Sequence, residues 1–246
     1  MTEHNGTCPY IDITVPSIAR IHDYLLGGKD HFGADRQAAE ELKLTIPRIT
    51  ESVCDNRAFL RRAVRHLATR MGIRQFIDIG LGLPTQGNTH EVAQDANPDA
   101  RIVYVGQDRM AVTHSRALLA RRPGVAAALG NPRDPDSIFA SRELHRLIDL
   151  DRPTAVLLVA VLHCLEDPLP IVARVRELIA PGSYLAIAEA DSPLEVEHYF
   201  TGMQLLNPGI VDVRVWRPEL DVAGPSTLPL FHGGVGHKPL PWAVAT

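Results

Sequence analysis

The segment Arg74–Gly87, RQFIDIGLGLPTQG, joins three local signals in one short stretch. Phe76, Ile77 and Ile79 form an apolar run with Asp78 near its end. Gly80 and Gly82 follow, then polar residues able to open a helix. The expected unit is a strand, a tight turn and a helix N-terminus. Glycine has no Cβ, so backbone N–H groups at such a turn can come close to a ligand. The competing reading is an ordinary strand–turn–helix joint in which Asp78 only ties down the turn.

Downstream of this unit the same pattern repeats. Strands are expected at 75–79, 101–105, 125–129, 154–162 and 183–188. Helices are expected near 89–95, 111–121, 134–148 and 169–179. Alternation of this kind implies an α/β fold with a parallel sheet covered by helices on both faces. The apolar run 155–162 suits a central strand buried on both sides. After residue 190 a short helix near 194–201 precedes apolar segments at 211–216 and 230–235, which suit an antiparallel edge hairpin; 218–229 reads as loop. Upstream, helical spacing begins after Pro16 and stops at Gly27-Gly28. A second helix spans about 35–44, and a third begins near Thr50. Residues 1–71 are therefore expected to form a mostly helical segment, part of the same domain as a core spanning 72–246.

Composition narrows the possible roles. The chain has 246 residues and a net charge of −4, enough for one substantial core and without a general basic field for nucleic acid. Arg57, Arg61, Arg62, Arg65 and Arg70 fall at spacings that suit a solvated helix face. Cys8, Cys54 and Cys164 are isolated, with no metal-ligand spacing, and suit a reducing compartment. No apolar run is long enough to span a bilayer. The expectation is a cytoplasmic protein with no metal and no membrane or nucleic-acid partner; its oligomeric state is open.

In an open parallel sheet, ligands bind beyond the carboxyl ends of the strands. Those ends carry Asp78–Gly82, then Gly106-Gln107-Asp108, then Gly130-Asn131, then His163-Cys164. A ribose calls for a carboxylate at the end of the second strand. Gly106 stands there, and the first acid is Asp108. One charge-assisted hydrogen bond contributes about 1.5–3 kcal/mol. Its loss weakens binding about tenfold to a hundredfold. Asn131 can equally be turn chemistry before Pro132, and His163 an interior histidine. A nicotinamide-dependent oxidoreductase fits poorly, because Thr85 stands where the third glycine of the dinucleotide pattern belongs.

Further blocks extend the pattern. Thr14–Phe32 reads TVPSIARIHDYLLGGKDHF, followed by Ala34-Asp35-Arg36 and by NRAFLRRAVR from Asn56. The chain continues with RDP from Arg133, VLLVAVLH ending at His163 and PGSYL from Pro181. PGIV from Pro208, WRP from Trp216 and GGVGHKP from Gly233 complete the set. Together these closely resemble the S-adenosyl methyltransferase family whose signature is V-P-x-x-A-R-x-x-D-Y-x-L-G-G-K-D. The resemblance implies a Rossmann-like class I methyltransferase fold, a mostly parallel seven-stranded sheet, and S-adenosyl-L-methionine (SAM) as methyl donor.

By that resemblance, Asp78, Gly80, Gly82, Pro84 and Thr85 cradle the methionine end. Gln107 and Asp108 serve the ribose, Asn131 and Arg133 lie near the adenine, and Tyr24, Gly28, Lys29 and Asp30 belong to a cap over the pocket. His163 and His31 are the candidate catalytic residues, by position. Three positions depart from the family pattern: Leu81 replaces a threonine, Gly106 an acid, and Asn131 another acid. The stretch 190–203 is also short. Two readings follow: a SAM-dependent methyltransferase acting on a small molecule, or a degenerate relative that binds SAM weakly or not at all and acts as a binding or regulatory protein.

Overall fold

The computed structural model describes residues 12–80, 88–119, 121–218 and 228–241. Gly82, Pro84 and Thr85 of the cradle, with Leu81 and Cys8, lie outside the described residues.

Strands β1 (Gln75–Ile79), β2 (Arg101–Gly106), β3 (Val125–Leu129), β4 (Ala155–Val159) and β5 (Tyr184–Glu189) pair in parallel. Three further strands complete the sheet: β6 (Gln204–Leu205), β7 (Val211–Asp212) and β8 (His232–His237). The order is β3-β2-β1-β4-β5-β8-β6, with β7 also on β8, and all β8 pairings are antiparallel. Among the described residues the sheet thus has eight strands where seven were expected. The segment before β8 supplies two short strands to one edge. β8 is interior, between β5 and that edge, so the C-terminal segments do not form a simple edge hairpin.

Each parallel strand is apolar on both faces, because helices cover both. Phe76, Ile102, Tyr104, Ala155 and Leu157 point to one side, where α3 (Ile49–Thr69), α4 (Thr89–Ala96) and α5 (Arg109–Leu119) pack. Ile77, Val103, Val156, Leu158, Leu185 and Ile187 point to the other. There lie α6 (Pro135–Phe139), α7 (Arg142–His145), α8 (Pro168–Leu178) and α9 (Pro193–His198). The helix expected over 134–148 is two helices, because Ser141 caps the second through Leu144 N–H. β4 ends at Val159, short of the expected 162, where Ala160 takes φ +54 and a 3-10 turn follows.

The segment ahead of β1 is helical, as expected: α1 (Ile18–Leu25), α2 (Gly33–Thr45) and α3. One carboxylate organises it. Asp35 is fully buried and accepts from Ser17 N–H, Phe32 N–H and the Arg20 Nε at 2.9–3.0 Å and 2.8 Å. Arg20, also buried, donates on to the Val15 carbonyl and lies over the Phe32 ring. Arg20 and Asp35 thereby fasten the starts of α1 and α2 together.

The N-terminal end of α1 is also anchored to the sheet domain. The Ser17 hydroxyl bonds Asp108, and Ala19 packs on Ala111 of α5. The arginines of α3 are not a uniform solvated face. Arg62 is half-buried and donates to the carbonyls of Trp216 and Val213.

Asp35→Asn removes the countercharge of a buried guanidinium, and breaking such a pair costs about 3–5 kcal/mol. Urea unfolding of this variant is expected to show a loss of that order, with Lys43→Ala on the exposed face of α2 near wild type.

Candidate functional site

At the carboxyl ends of β1 and β4 a cavity opens between the sheet, α1 and α3. Strand register places Asp78 beside Tyr104 of β2 and Leu157 of β4, on the face covered by α3 and α4. Its Oδ2 accepts from the Thr89 hydroxyl at 2.6 Å, at the start of α4. Burial pushes the Asp78 carboxyl above the usual carboxylate range, against the Thr89 hydroxyl and the Arg57 guanidinium, which both favour its charge. Gly80 takes φ +112, and a Cβ there would stand 3.0 Å from the Val161 side chain. The turn therefore requires glycine on two counts.

Above this floor, α1 supplies His22 and Asp23 to the cavity lining, and its C-cap residue supplies Leu26. Asp23 is buried, and its Oδ2 accepts from Asp30 N–H at 2.8 Å and contacts His31 Nδ1 at 3.0 Å. A Cβ on Gly28 would fall 1.9 Å from Asp23 Oδ1, so only glycine fits against that carboxylate. These signature residues thus act together, folding the turn after α1 around one buried acid. His22 is pushed down to about 4 by burial, with the His163 and Arg57 charges adding to the effect, so its imidazole is neutral near pH 7.

The expected site residues separate by location. Asp78 and Gly80 line the cavity. Gln107 is exposed at the end of β2, and Asn131 and Arg133 are exposed beyond β3. Arg133 donates to the Cys164 carbonyl at 2.7 Å, tying the β3 end to the β4 end. Asp108 caps α5 through Ala111 N–H at 3.0 Å while holding Ser17. Tyr24 turns toward α2, donating to Glu40 at 2.6 Å beneath Lys43. Gly28 and Asp30 build the turn, and Asp30 also meets His114 of α5 at 3.7 Å. Lys29 is exposed. His31 is bound to Asp23 and stands edge-on to Tyr24, which gives it a place in the cap.

His163 has a different setting. Its Nδ1 lies 2.5 Å from Oε1 of Glu189, the last residue of β5, which is fully buried. The same carboxylate accepts from Leu162 N–H at 2.7 Å and Ala190 N–H at 3.0 Å. The Cys164 sulfur and the Glu189 carboxylate hold the His163 imidazole well above the usual range, to about 10. His163 is therefore charged near neutral pH and lines a cleft at the carboxyl end of β4 with Tyr199 and Asp191.

Several lining groups have no counterpart in the expected set: His22, Asp23, Asn56, Arg57, His90 and Tyr104. His90 Nδ1 and Tyr104 OH meet at 2.8 Å inside the wall. The signal for Asn56 and Arg57 was the helical face Val53, Asn56, Arg57, Leu60, which mixes apolar and polar side chains. Among the described residues, no cluster of His, Cys, Asp or Glu is arranged to hold a metal ion, and no helix is long and apolar enough to cross a membrane.

A family model described as S-adenosyl methyltransferase matches residues 4–195. A candidate methyltransferase from Thermobifida fusca YX superposes with a TM-score of 0.90 at 40% identity, over 96% of this chain and all of that one. A DUF574-family protein from Streptomyces avermitilis MA-4680 gives 0.88 at 35% identity, over 94% of this chain and all of the other. No curated protein sequence matches the chain. With the sheet order, the glycine turn behind Asp78 and the cap folded on Asp23 already in place, these matches establish that the chain belongs to the S-adenosyl methyltransferase family and is a SAM-dependent methyltransferase.

Proposed function

We propose that the methyl acceptor is a small molecule. The observation that supports this is a concave cavity lined by His22, Asp23 and Leu26 and by residues of α3. A concave site of this kind suits a small acceptor, and the net charge of −4 gives no field for nucleic acid.

The lining suits a polar donor. Asn56 and Ser115 are buried in it with side-chain atoms that have no hydrogen-bond partner among the described residues, and buried polar groups are normally satisfied. SAM, when bound, supplies a methyl group activated by a positively charged sulfur. The chain's own work is to bind, orient and exclude water. In this reading Asp78 and Gly80, with Gly82, Pro84 and Thr85, hold the methionine end. Gln107 and Asp108 lie toward the ribose, and Asn131 and Arg133 toward the adenine. Tyr24, Gly28, Lys29 and Asp30 complete a cap that belongs to the same domain as the core. His163 serves the acceptor side, positioned by Glu189. As a cation at neutral pH it can take a proton only as the pH rises toward its raised value.

Three outcomes test this reading. With methyl-labelled SAM and a cell extract, label is expected in the low-mass fraction; label confined to protein or RNA would overturn the small-molecule proposal. In calorimetric titrations Asp78→Asn should weaken SAM binding about tenfold to a hundredfold, and Gly106→Asp should tighten it about tenfold or more.

The third outcome concerns pH. The folded value of His163 is raised above the ordinary histidine value, to about 10. Stability from the His163–Glu189 pair is therefore complete below the unfolded value of about 6.5 and lost as pH rises through the folded one. Turnover at saturating substrate should rise as pH approaches that folded value and lose the rise in His163→Ala. Unchanged turnover in the variant rules out a role for His163.

A further inference from the structure

Helix α3 turns Val53, Asn56, Arg57 and Leu60 into the cavity, at the i, i+3, i+4, i+7 spacing of one helical face. Asn56 is 3% exposed, and among the described residues neither its amide nitrogen nor its amide oxygen has a hydrogen-bond partner. A buried amide lacking both kinds of partner is rare in a folded protein. Its surroundings are specific. Arg57 follows it on the helix, and Asp78 lies across the cavity within electrostatic range of Arg57.

The cavity therefore presents, side by side, a cation, a carboxylate and an amide with donor and acceptor both open to a ligand. The complement is a ligand group that carries an anion and a cation close together. An α-amino acid has that form: carboxylate and ammonium on one carbon. SAM carries such a zwitterion at the end remote from its purine. Adenine carries neither an anion nor a cation, so it matches an adjacent Arg–Asp pair less fully than a zwitterion does. Its expected neighbour Asn131 lies beyond β3, two strands away from β1.

We propose that Asn56 binds the amino-acid end of the methyl donor, its carbonyl accepting from the ammonium and its NH2 donating to the carboxylate. Arg57 and Asp78 set the polarity, so the carboxylate lies toward the guanidinium and the ammonium toward Asp78. This assignment rests on the SAM-dependent reading and specifies which end of the donor α3 recognises.

Two ligands separate the ends. S-adenosylhomocysteine has purine, ribose, thioether and amino acid; methylthioadenosine lacks only the amino acid. Calorimetry on the full chain should find S-adenosylhomocysteine the tighter ligand. Asn56→Leu should weaken it about tenfold to a hundredfold, the effect of one or two hydrogen bonds to charged groups, and leave methylthioadenosine unchanged. The ligand-free variant should melt at or above the wild-type temperature, because an unpaired amide has been removed. Should Asn56→Leu fail to fold, Asn56→Asp keeps the size, places an anion against the donor carboxylate and should show the same selective loss.

Equal losses for both ligands would move Asn56 to the purine side and overturn the assignment. So would unchanged affinity for both. Wild-type protein that binds neither ligand would instead overturn the SAM-dependent reading on which it rests.

Discussion

The cap over the pocket depends on the Asp35 carboxylate. It is fully buried, yet it accepts from two backbone N–H groups and the Arg20 side chain. A buried charge is tolerated only when it is paired and hydrogen-bonded, and here both conditions hold. The two N–H groups belong to Ser17 and Phe32, immediately before α1 and α2. One side chain therefore sets where both helices begin and how α1 lies across the strand ends. The position of His22 and Asp23 over the cavity follows from that geometry. Asp23 then repeats the device on a smaller scale, gathering Asp30 and His31 around a second carboxylate, with Gly28 leaving room for it.

Two acid–histidine contacts flank the strand ends and differ in electrostatic setting. His31 is bound to Asp23 within the cap, whereas His163 is bound to Glu189 at the end of β5. Glu189 has backbone donors on two sides, and His163 is its neighbouring cation. His22 stays neutral in the cavity wall, because it is buried and has no carboxylate bonded to it among the described residues. Two histidines near one site are thus held in opposite charge states by their surroundings.

Much of the sheet was legible because strands covered on both faces read as short apolar runs between helical segments. The register that sets Asp78 beside Tyr104 is seen only in the strand pairing, because runs that are apolar on both faces do not specify it. The misreadings have local causes. Ala160 reads as strand by hydrophobicity, but its positive φ ends β4 early. Ser141 reads as mid-helix, but its hydroxyl starts a new one. β8 reads as an edge because glycines dominate it, yet it is inserted beside β5. At the site, Asp78 and Gly80 were legible from local order alone. Asn56, Arg57 and His22 were not, since helical spacing tells which face is buried but not what that face meets. Glu189 carries no local signal, because no glycine turn follows β5 and its partner His163 lies 26 positions away in sequence.

The polar atoms of Asn56 and Ser115, without a partner among the described residues, and the carboxyl of Asp78 pushed above its ordinary range by burial, tie folding to supply. These groups cost the empty protein stability at the place where a bound ligand returns it. Binding adds free energy to the folded state by mass action, about 2.7 kcal/mol at a ligand concentration one hundred times Kd. For a marginally stable domain that is a large fraction of the total. The folded fraction of this chain should therefore rise with the concentration of its methyl donor.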